Sequence, residues 1–477
     1  MIKIKKITLS IGLIWGISQI TFAQAQSDYE TIKNILLKHY NAGEYVKVYP
    51  MLSTEFKRQI SEEALVFFLE SNIREKLGKI KTCKFTGIED SSYVFLTTFK
   101  HGTLNLFLNL NQQKEISGLR FLPVPKPIQL KGNKPVVLLS SNLLKTALDK
   151  KVDSVVRSQW NSKKHVGLAI GLIQSGNQAT YGYGTIKVNS GIIPDKQTVM
   201  EIGSITKTFA GLLVAQAEQD GKLNIQDDIR KHLSGIYPNL MFNNKPITIQ
   251  HLITHTSGLP RIPDNLADQP DYSPLDPYKN YNTQMMLDYL QKVKLTTEPG
   301  TISAYSNYGT GLLKIILERV YNKSFNLLLE ENVLKPFNMK HTFIQVPQDT
   351  SLQLANVYDN GHEVLRWQLG DMVTAGGLSS TVEDMLSYLT EQYSSQNKAV
   401  KQSHEVLFKE NTMQGTAYLW VVTTLKNGNH LIWHNGGTGG SSSFCGFIQE
   451  TGDAVVVLGN STESVDNLAI QLLRALK

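Results

Sequence analysis

Gly203-Ser204-Ile205-Thr206-Lys207, followed by the run Thr208–Gln219, decides how this chain is read. The run is apolar on most faces, through Phe209, Leu212, Leu213 and Val214, so it is expected to form a buried helix ending at Gly221. Ser204 in the first turn and Lys207 three residues later then share one face. A helix N-terminus and an adjacent amine both favour the alkoxide of a serine, which is otherwise a poor nucleophile. A lysine held among apolar or cationic groups can lose its proton and act as a base. The spacing alone does not decide the matter, because Ser395 and Lys398 repeat it. That copy lies in a polar loop among Ser, Gln and Asn, with no helix to activate it.

Two further stretches carry chemistry. Tyr305-Ser306-Asn307 lies between the turn Glu298-Pro299-Gly300 and an apolar helix expected at Gly311–Val320. Tyr-x-Asn also occurs at Tyr237, Tyr278 and Tyr358, but only Tyr305 has this setting. A tyrosine beside a lysine ammonium is expected to have its pKa lowered, enough to take a proton from serine. The bland alternative is a half-buried tyrosine next to a core helix. Trp433-His434-Asn435-Gly436-Gly437-Thr438-Gly439-Gly440 precedes the apolar strand Phe444–Ile448. Glycines at a strand edge let a substrate backbone approach closely and free amides to stabilise an oxyanion, although a Gly-rich hairpin turn would look the same.

Around these motifs the chain has 477 residues, 41% hydrophobic and 19% charged, which excludes a wholly disordered protein. Its two cysteines exclude a disulfide scaffold and any Cys-rich metal module, and they are expected to be two buried thiols. Lys3, Lys5 and Lys6, the apolar run Ile7–Ile20 and Phe22-Ala23-Gln24-Ala25 have the layout of a secretory signal peptide, residues 1–25. The run is interrupted by polar residues and short for a membrane span, so an uncleaved anchor is the lesser reading. Its removal lowers the net charge from +7 to +4, which takes away the main support for nucleic-acid binding. The protein is therefore expected in the periplasm or secreted, with no stable membrane span after cleavage.

Residues 26–122 are expected to form a small α+β domain: helical periodicity from Asp28 to about Asn72, then strands at Tyr93–Phe99, Thr103–Leu110 and Gly118–Phe121. Residues 123–142, with Pro123, Pro125, Pro127 and Pro135, form an extended linker. Residues 143–477 open with a helix (Leu143–Trp160) and a hairpin (Val166–Ile173 with Ala179–Ile186). They close with strands near Leu431–His434, Ser443–Gln449 and Ala454–Leu458 and a last helix from Ser464. One antiparallel sheet built from both ends, flanked by helices and packed against an inserted helical region, is the expected α/β (α+β) fold.

Ser204-x-x-Lys207, Tyr305-x-Asn307 and His434-x-Gly436, in this order, resemble the three motifs of the serine β-lactamase and penicillin-binding-protein superfamily, and its class C-like branch most closely. Leu252–Pro260 (Leu-Ile-Thr-His-Thr-Ser-Gly-Leu-Pro), Pro336-Phe337-Asn338-Met339 and Ala375–Ser380 are similar to it as well. The N-terminal module, with Gly43-Glu44-Tyr45-Val46 after its first helix, is similar to NTF2-like accessory domains. The resemblance implies that Ser204 forms an acyl-enzyme while Lys207 and Tyr305 share general-base and proton-relay work. It implies that Asn307 holds the acyl side-chain amide and that His434, Gly436 and Gly437 line the substrate site. The amides of Ser204 and Gly437 would make the oxyanion hole. His434 stands where a lysine is usual, as in peptidase and esterase members, which weakens the clamp on a substrate carboxylate and argues against efficient β-lactam turnover.

The expected substrate is a small molecule or a peptide of cell-wall type, and no cofactor is expected. His251/His255 and His430/His434 are each four apart, but neither pair carries the Glu of a His-Glu-x-x-His zinc motif, so no metal is expected. The competing function is a non-catalytic member of the fold that binds penicillin or cell-wall peptides.

Overall fold

The computed structural model describes residues 11–57, 60–89, 92–123, 138–348 and 351–476. The chain divides into two compact units, Met1–Ile128 and Gln129–Lys477. Most of the expected signal peptide's basic end, and positions 124–137 of the expected linker, lie outside the described residues.

In the smaller unit a helix, Ile11–Ala42, and several short helical turns precede a four-stranded antiparallel sheet. Its strands, Ile80–Glu89, Ser92–Phe99, Gly102–Leu110 and Ile116–Pro123, pair in chain order. Leu36 and Tyr40 on the helix pack with Phe95, Phe99, Leu106 and Leu108 on the sheet. Asn41 fastens the helix end to the first strand, donating to Ile80 O at 2.9 Å and accepting from Ile80 N at 2.8 Å. Cys83 is a free, partly buried thiol 3.2 Å from Thr97 Oγ1, and Cys445 is free and buried. No helix among the described residues is long and apolar enough to cross a membrane.

The larger unit is organised by an eight-stranded antiparallel sheet. From one edge its strands are Phe408–Lys409, Gln414–Thr416, Val421–Thr424, His430–Gly437, Ser442–Ile448, Ala454–Gly459, Gly167–Gln174 and Asn177–Gly184. Pairing of Ala454–Gly459 with Gly167–Gln174 joins the C-terminal strands to the N-terminal hairpin, so the two ends share one sheet. The strand side chains alternate between faces. Leu168, Ile170, Leu172, Val455 and Val457 meet Val152 and Val156 of the helix Ala147–Gln159 and Leu468 and Leu472 of the helix Asp466–Ala475. Ala169, Ile173, Ile432, Phe447, Val456 and Leu458 face the other way, into the core of the inserted helical region. Burial on both faces accounts for the unbroken apolar run of Ala454–Leu458.

The unit also begins earlier than Leu143. Leu139 O accepts from Gly184 N at 2.9 Å and Ser141 N donates to Gly182 O at 3.0 Å, so the end of the expected linker lies along the outer strand. Beyond the prolines, nothing in Leu138–Ser141 prevents it from extending the sheet.

At the centre of the helical region runs Thr206–Gln219, and Phe209 on it has no exposed surface. Its ring stacks on Tyr388 with centroids 4.1 Å apart and planes 8° apart. Tyr388 also donates its hydroxyl to Thr208 Oγ1 at 3.0 Å. This packing fixes the helix that carries Lys207. Phe209→Ala is therefore expected to destabilise the larger unit by about 3–5 kcal/mol, the range for emptying an aromatic site in a core. Urea unfolding checks this, and a loss below about 1 kcal/mol would mean that the helix is held by something other than this stack.

Candidate active site

Ser204 lies in a tight 3-10 turn, Gly203–Ile205, between the short strand Met200–Glu201 and the helix Thr206–Gln219. Met200–Glu201 pairs with Ser379–Ser380, and Ile202 N donates to Leu378 O at 3.0 Å. The turn presses against the end of the strand His430–Gly437. A Cβ on Gly203, whose φ is +50°, would lie 2.7 Å from Gly437 N. A Cβ on Gly436 would lie 2.1 Å from Ile202 O and 2.9 Å from Ser204 N. Only glycine at these two positions lets the nucleophile turn and the strand end come together. Gly437 is exposed at the mouth of the cleft.

Lys207 is completely buried, and its Nζ has three neighbours. It lies 3.1 Å from Ser204 Oγ and 2.9 Å from Asn307 Oδ1, and it donates to Ala375 O. No carboxylate pairs with it among the described residues. Burial, helped by the charge of Arg261, holds its pKa well below the usual lysine value and so favours the uncharged amine. A neutral amine has two hydrogens and one lone pair. Asn307 Oδ1 and Ala375 O can only accept, so they take the hydrogens. When Lys207 is deprotonated, its lone pair is left facing Ser204 Oγ.

Tyr305 precedes Ser306, the cap of the helix Asn307–Tyr321. Its hydroxyl is hydrogen bonded to Ser204, but its pKa moves opposite to expectation. Loss of water around the half-buried phenol pushes it up to about 12, outweighing the Ser204 hydrogen bond and the Arg261 charge. The cation that pulls it down is Arg261. At neutral pH Tyr305 is a protonated phenol, suited to donate or relay a proton. Both Lys207 Nζ, at 4.8 Å, and Arg261 Cζ, at 5.0 Å, lie over its ring.

His255 holds the Tyr305 loop. Its carbonyl accepts from Ala304 N at 2.7 Å and its Nδ1 accepts from Ser306 N at 3.2 Å, while its ring lies 4.5 Å from that of Tyr305. His251 is used elsewhere, accepting from Thr248 N at 3.0 Å in a helix cap, and His430 pairs with Glu450 at 2.7 Å. His434 is buried, with Nδ1 2.5 Å from Asn435 O, which fixes the proton on Nδ1. Burial and the nearby Lys207 lower it to about 4, so it brings no positive charge to the cleft at neutral pH. Asn307 has both ends engaged, Oδ1 with Lys207 and the amide hydrogen-bonded to Tyr278, which makes it a positioning residue for the amine.

Glu201, Arg261, His255 and Ala375 were not among the candidates from sequence. Buried Glu201 accepts from Thr438 Oγ1 at 2.8 Å, Ser441 Oγ at 3.0 Å and Trp367 N at 2.9 Å. It thereby fastens the Gly-rich turn after Gly437 to the chain entering the nucleophile turn. A lone acid at Glu201, so close to Ser204 yet in an apolar setting, was the available signal. Ala375 acts through its carbonyl, which carries no side-chain signature.

Arg261 lowers the pKa of both Lys207 and Tyr305. Arg261→Gln is therefore expected to move the acid limb of Ser204 labelling by a fluorophosphonate to higher pH, because Lys207 then keeps its proton longer. The alkaline limb moves up as well. A pH profile of the labelling rate checks this, and an acid limb that stays put or moves down would remove Arg261 from the account.

A family model described as Beta-lactamase matches residues 152–476, and one described as a protein of unknown function (DUF3887) matches residues 34–119. A beta-lactamase of Providencia stuartii is 29% identical over 240 residues, 50% of this chain and 58% of its own length. Protein flp of Staphylococcus aureus (strain N315) is 28% identical over 336 residues, 67% of this chain and 65% of its own. The chain thus spans less than two thirds of the length of these curated relatives. A beta-lactamase/D-alanine carboxypeptidase from Pseudomonas syringae shares the fold with TM-score 0.59 at 23% identity, covering 69% of this chain and 98% of that one. A class C beta lactamase from Rhodobacter sphaeroides does so with TM-score 0.59 at 22% identity, with the same coverage of 69% and 98%. With the family model extending over well more than half of its length, the chain belongs to the beta-lactamase family and has its serine hydrolase fold.

Proposed function

We propose that this protein is an exported serine hydrolase that cleaves amide or ester bonds through an acyl-enzyme on Ser204. The observation that carries the reading is the buried Lys207 amine, 3.1 Å from Ser204 Oγ, held by Asn307 Oδ1 and Ala375 O with no carboxylate beside it among the described residues and with its pKa well below the usual lysine value. In this reaction Ser204 Oγ gives its proton to Lys207 Nζ and attacks the substrate carbonyl carbon. The resulting oxyanion lies between the amides of Ser204 and Gly437, each donor contributing about 3–4 kcal/mol. The carbon–nitrogen or carbon–oxygen bond breaks as the leaving atom takes the Tyr305 proton, and the Lys207 ammonium returns its proton to the Tyr305 phenolate. Water then attacks the acyl-enzyme, with Lys207 again the base.

The substrate is a β-lactam, a D-Ala-D-Ala-type peptide or an ester. The names of the relatives, beta-lactamase and D-alanine carboxypeptidase, support the first two. The neutral His434 weighs against the first, since it offers no cation to a substrate carboxylate at neutral pH. Export, to the periplasm or the medium, rests on the basic and apolar pattern of residues 1–25.

Treatment of folded protein with a fluorophosphonate or a penicillin is expected to place one adduct on Ser204, found by peptide mass spectrometry and absent from Ser204→Ala. Folded protein that takes no adduct would contradict the hydrolase reading and favour a binding role. Tyr305→Phe is expected to slow acylation by an ester substrate about 100-fold, the usual scale for losing a positioned acid–base group. Stopped-flow measurement at the wild-type rate would take Tyr305 out of the relay.

A further inference from the structure

Beside Tyr305 and His434 lies a pocket of about 300 Å³, lined also by His255, Ser303, Glu410 and Thr416. A proton donor must lie within hydrogen-bond reach of the atom it protonates. Tyr305, whose hydroxyl is hydrogen bonded to Ser204, forms part of the pocket wall, so the pocket adjoins the residue placed to give the leaving atom its proton.

The wall of this pocket carries a single carboxylate. Glu410 is the one acidic or basic side chain lining it apart from the two imidazoles. Its position is set by a short hairpin, because Glu410 N donates to Gln414 O at 2.9 Å between the strands Phe408–Lys409 and Gln414–Thr416. Its Oε1 accepts from Thr416 Oγ1 at 3.0 Å, and no cation pairs with it among the described residues. His255 accepts the Ser306 amide at Nδ1 and is therefore neutral, and burial lowers His434 to about 4, so neither supplies a compensating cation. Arg261 is not in the wall. A leaving group that ends in a carboxylate would place its anion in a pocket that holds an anion already.

We propose that this pocket receives the leaving group and that Glu410 makes it select groups without negative charge, ammonium-bearing ones above all. The inference rests on the hydrolase reading and names the substrate class of that same site. The preferred substrate is then an ester or amide whose departing alcohol or amine is neutral or cationic, and not one that releases an amino acid through its own free carboxylate end.

The test uses the full chain and three esters of one acyl group. Their leaving groups are meta-hydroxybenzoate, meta-methoxyphenol and meta-hydroxyphenyl-trimethylammonium. Each kcat/KM is divided by the rate of hydroxide-catalysed hydrolysis of the same ester, which removes differences in intrinsic reactivity. The ammonium ester is expected to exceed the carboxylate ester by about tenfold or more at low ionic strength, with the ratio shrinking as salt is added. Glu410→Gln is expected to bring the ratio to about threefold or below, and Glu410→Lys to invert it. The ratio is taken within one preparation, so a loss of folded protein cancels. A wild-type ratio near one, a preference for the carboxylate ester, or a ratio unchanged in Glu410→Gln would overturn the proposal. Fluorophosphonate labelling of the same preparation separates the two readings. Labelled Ser204 without charge preference overturns the pocket reading alone, and unlabelled Ser204 overturns both.

Discussion

Lys207 carries its amine on a helix with almost no exposed surface, into a site that offers it two acceptors and a serine hydroxyl but no carboxylate. Burial without a counter-charge disfavours an ammonium there and pulls the pKa of the group well down. The rest of the site follows from that shift. Once the amine is neutral, its hydrogens go to Asn307 and Ala375 and its lone pair to Ser204. Tyr305, stripped of water, has its pKa pushed up to about 12 and remains a phenol at neutral pH. This suits the lysine to the proposed base role and leaves the tyrosine a proton to give.

The scaffold holds this arrangement by contacts of two kinds. Close backbone approach at Gly203 and Gly436 brings the nucleophile turn against the strand end, where any side chain would collide with a carbonyl or an amide. Buried polar clamps fix what remains: Glu201 holds the turn beyond Gly437, and His255 holds both amides around Tyr305. Both clamps join segments distant in sequence, and the sheet and the helix Thr206–Gln219 give them a rigid frame. Arg261 adds a positive field at the cleft that keeps the lysine deprotonated, while Glu410 gives the pocket beyond Tyr305 the opposite sign.

Much of this was legible in the sequence because it rests on local pattern. Apolar runs at Val166–Ile173 and Ala454–Leu458 announced the central strands, and the buried helix after Ser204 distinguished the Ser204/Lys207 pair from its copy at Ser395/Lys398. What remained hidden depends on burial or on backbone groups. The strands between Phe408 and Thr424 are only two to four residues long, too short for an alternating pattern. The direction of the Tyr305 shift was misjudged because spacing does not show that Lys207 is sealed from water. Arg261 looks like any surface arginine until its guanidinium is seen above the Tyr305 ring, and the Ala375 carbonyl has no signature at all.

The central claim is the charge state of Lys207, and it can be read without any substrate. In protein labelled with carbon-13 lysine, the Cε resonance assigned through Lys207→Arg reports protonation directly as pH is varied. The account predicts a resonance that titrates well below the ordinary lysine range, with the amine uncharged at neutral pH. A Lys207 resonance that remains that of an ammonium at neutral pH and titrates with the surface lysines would contradict it.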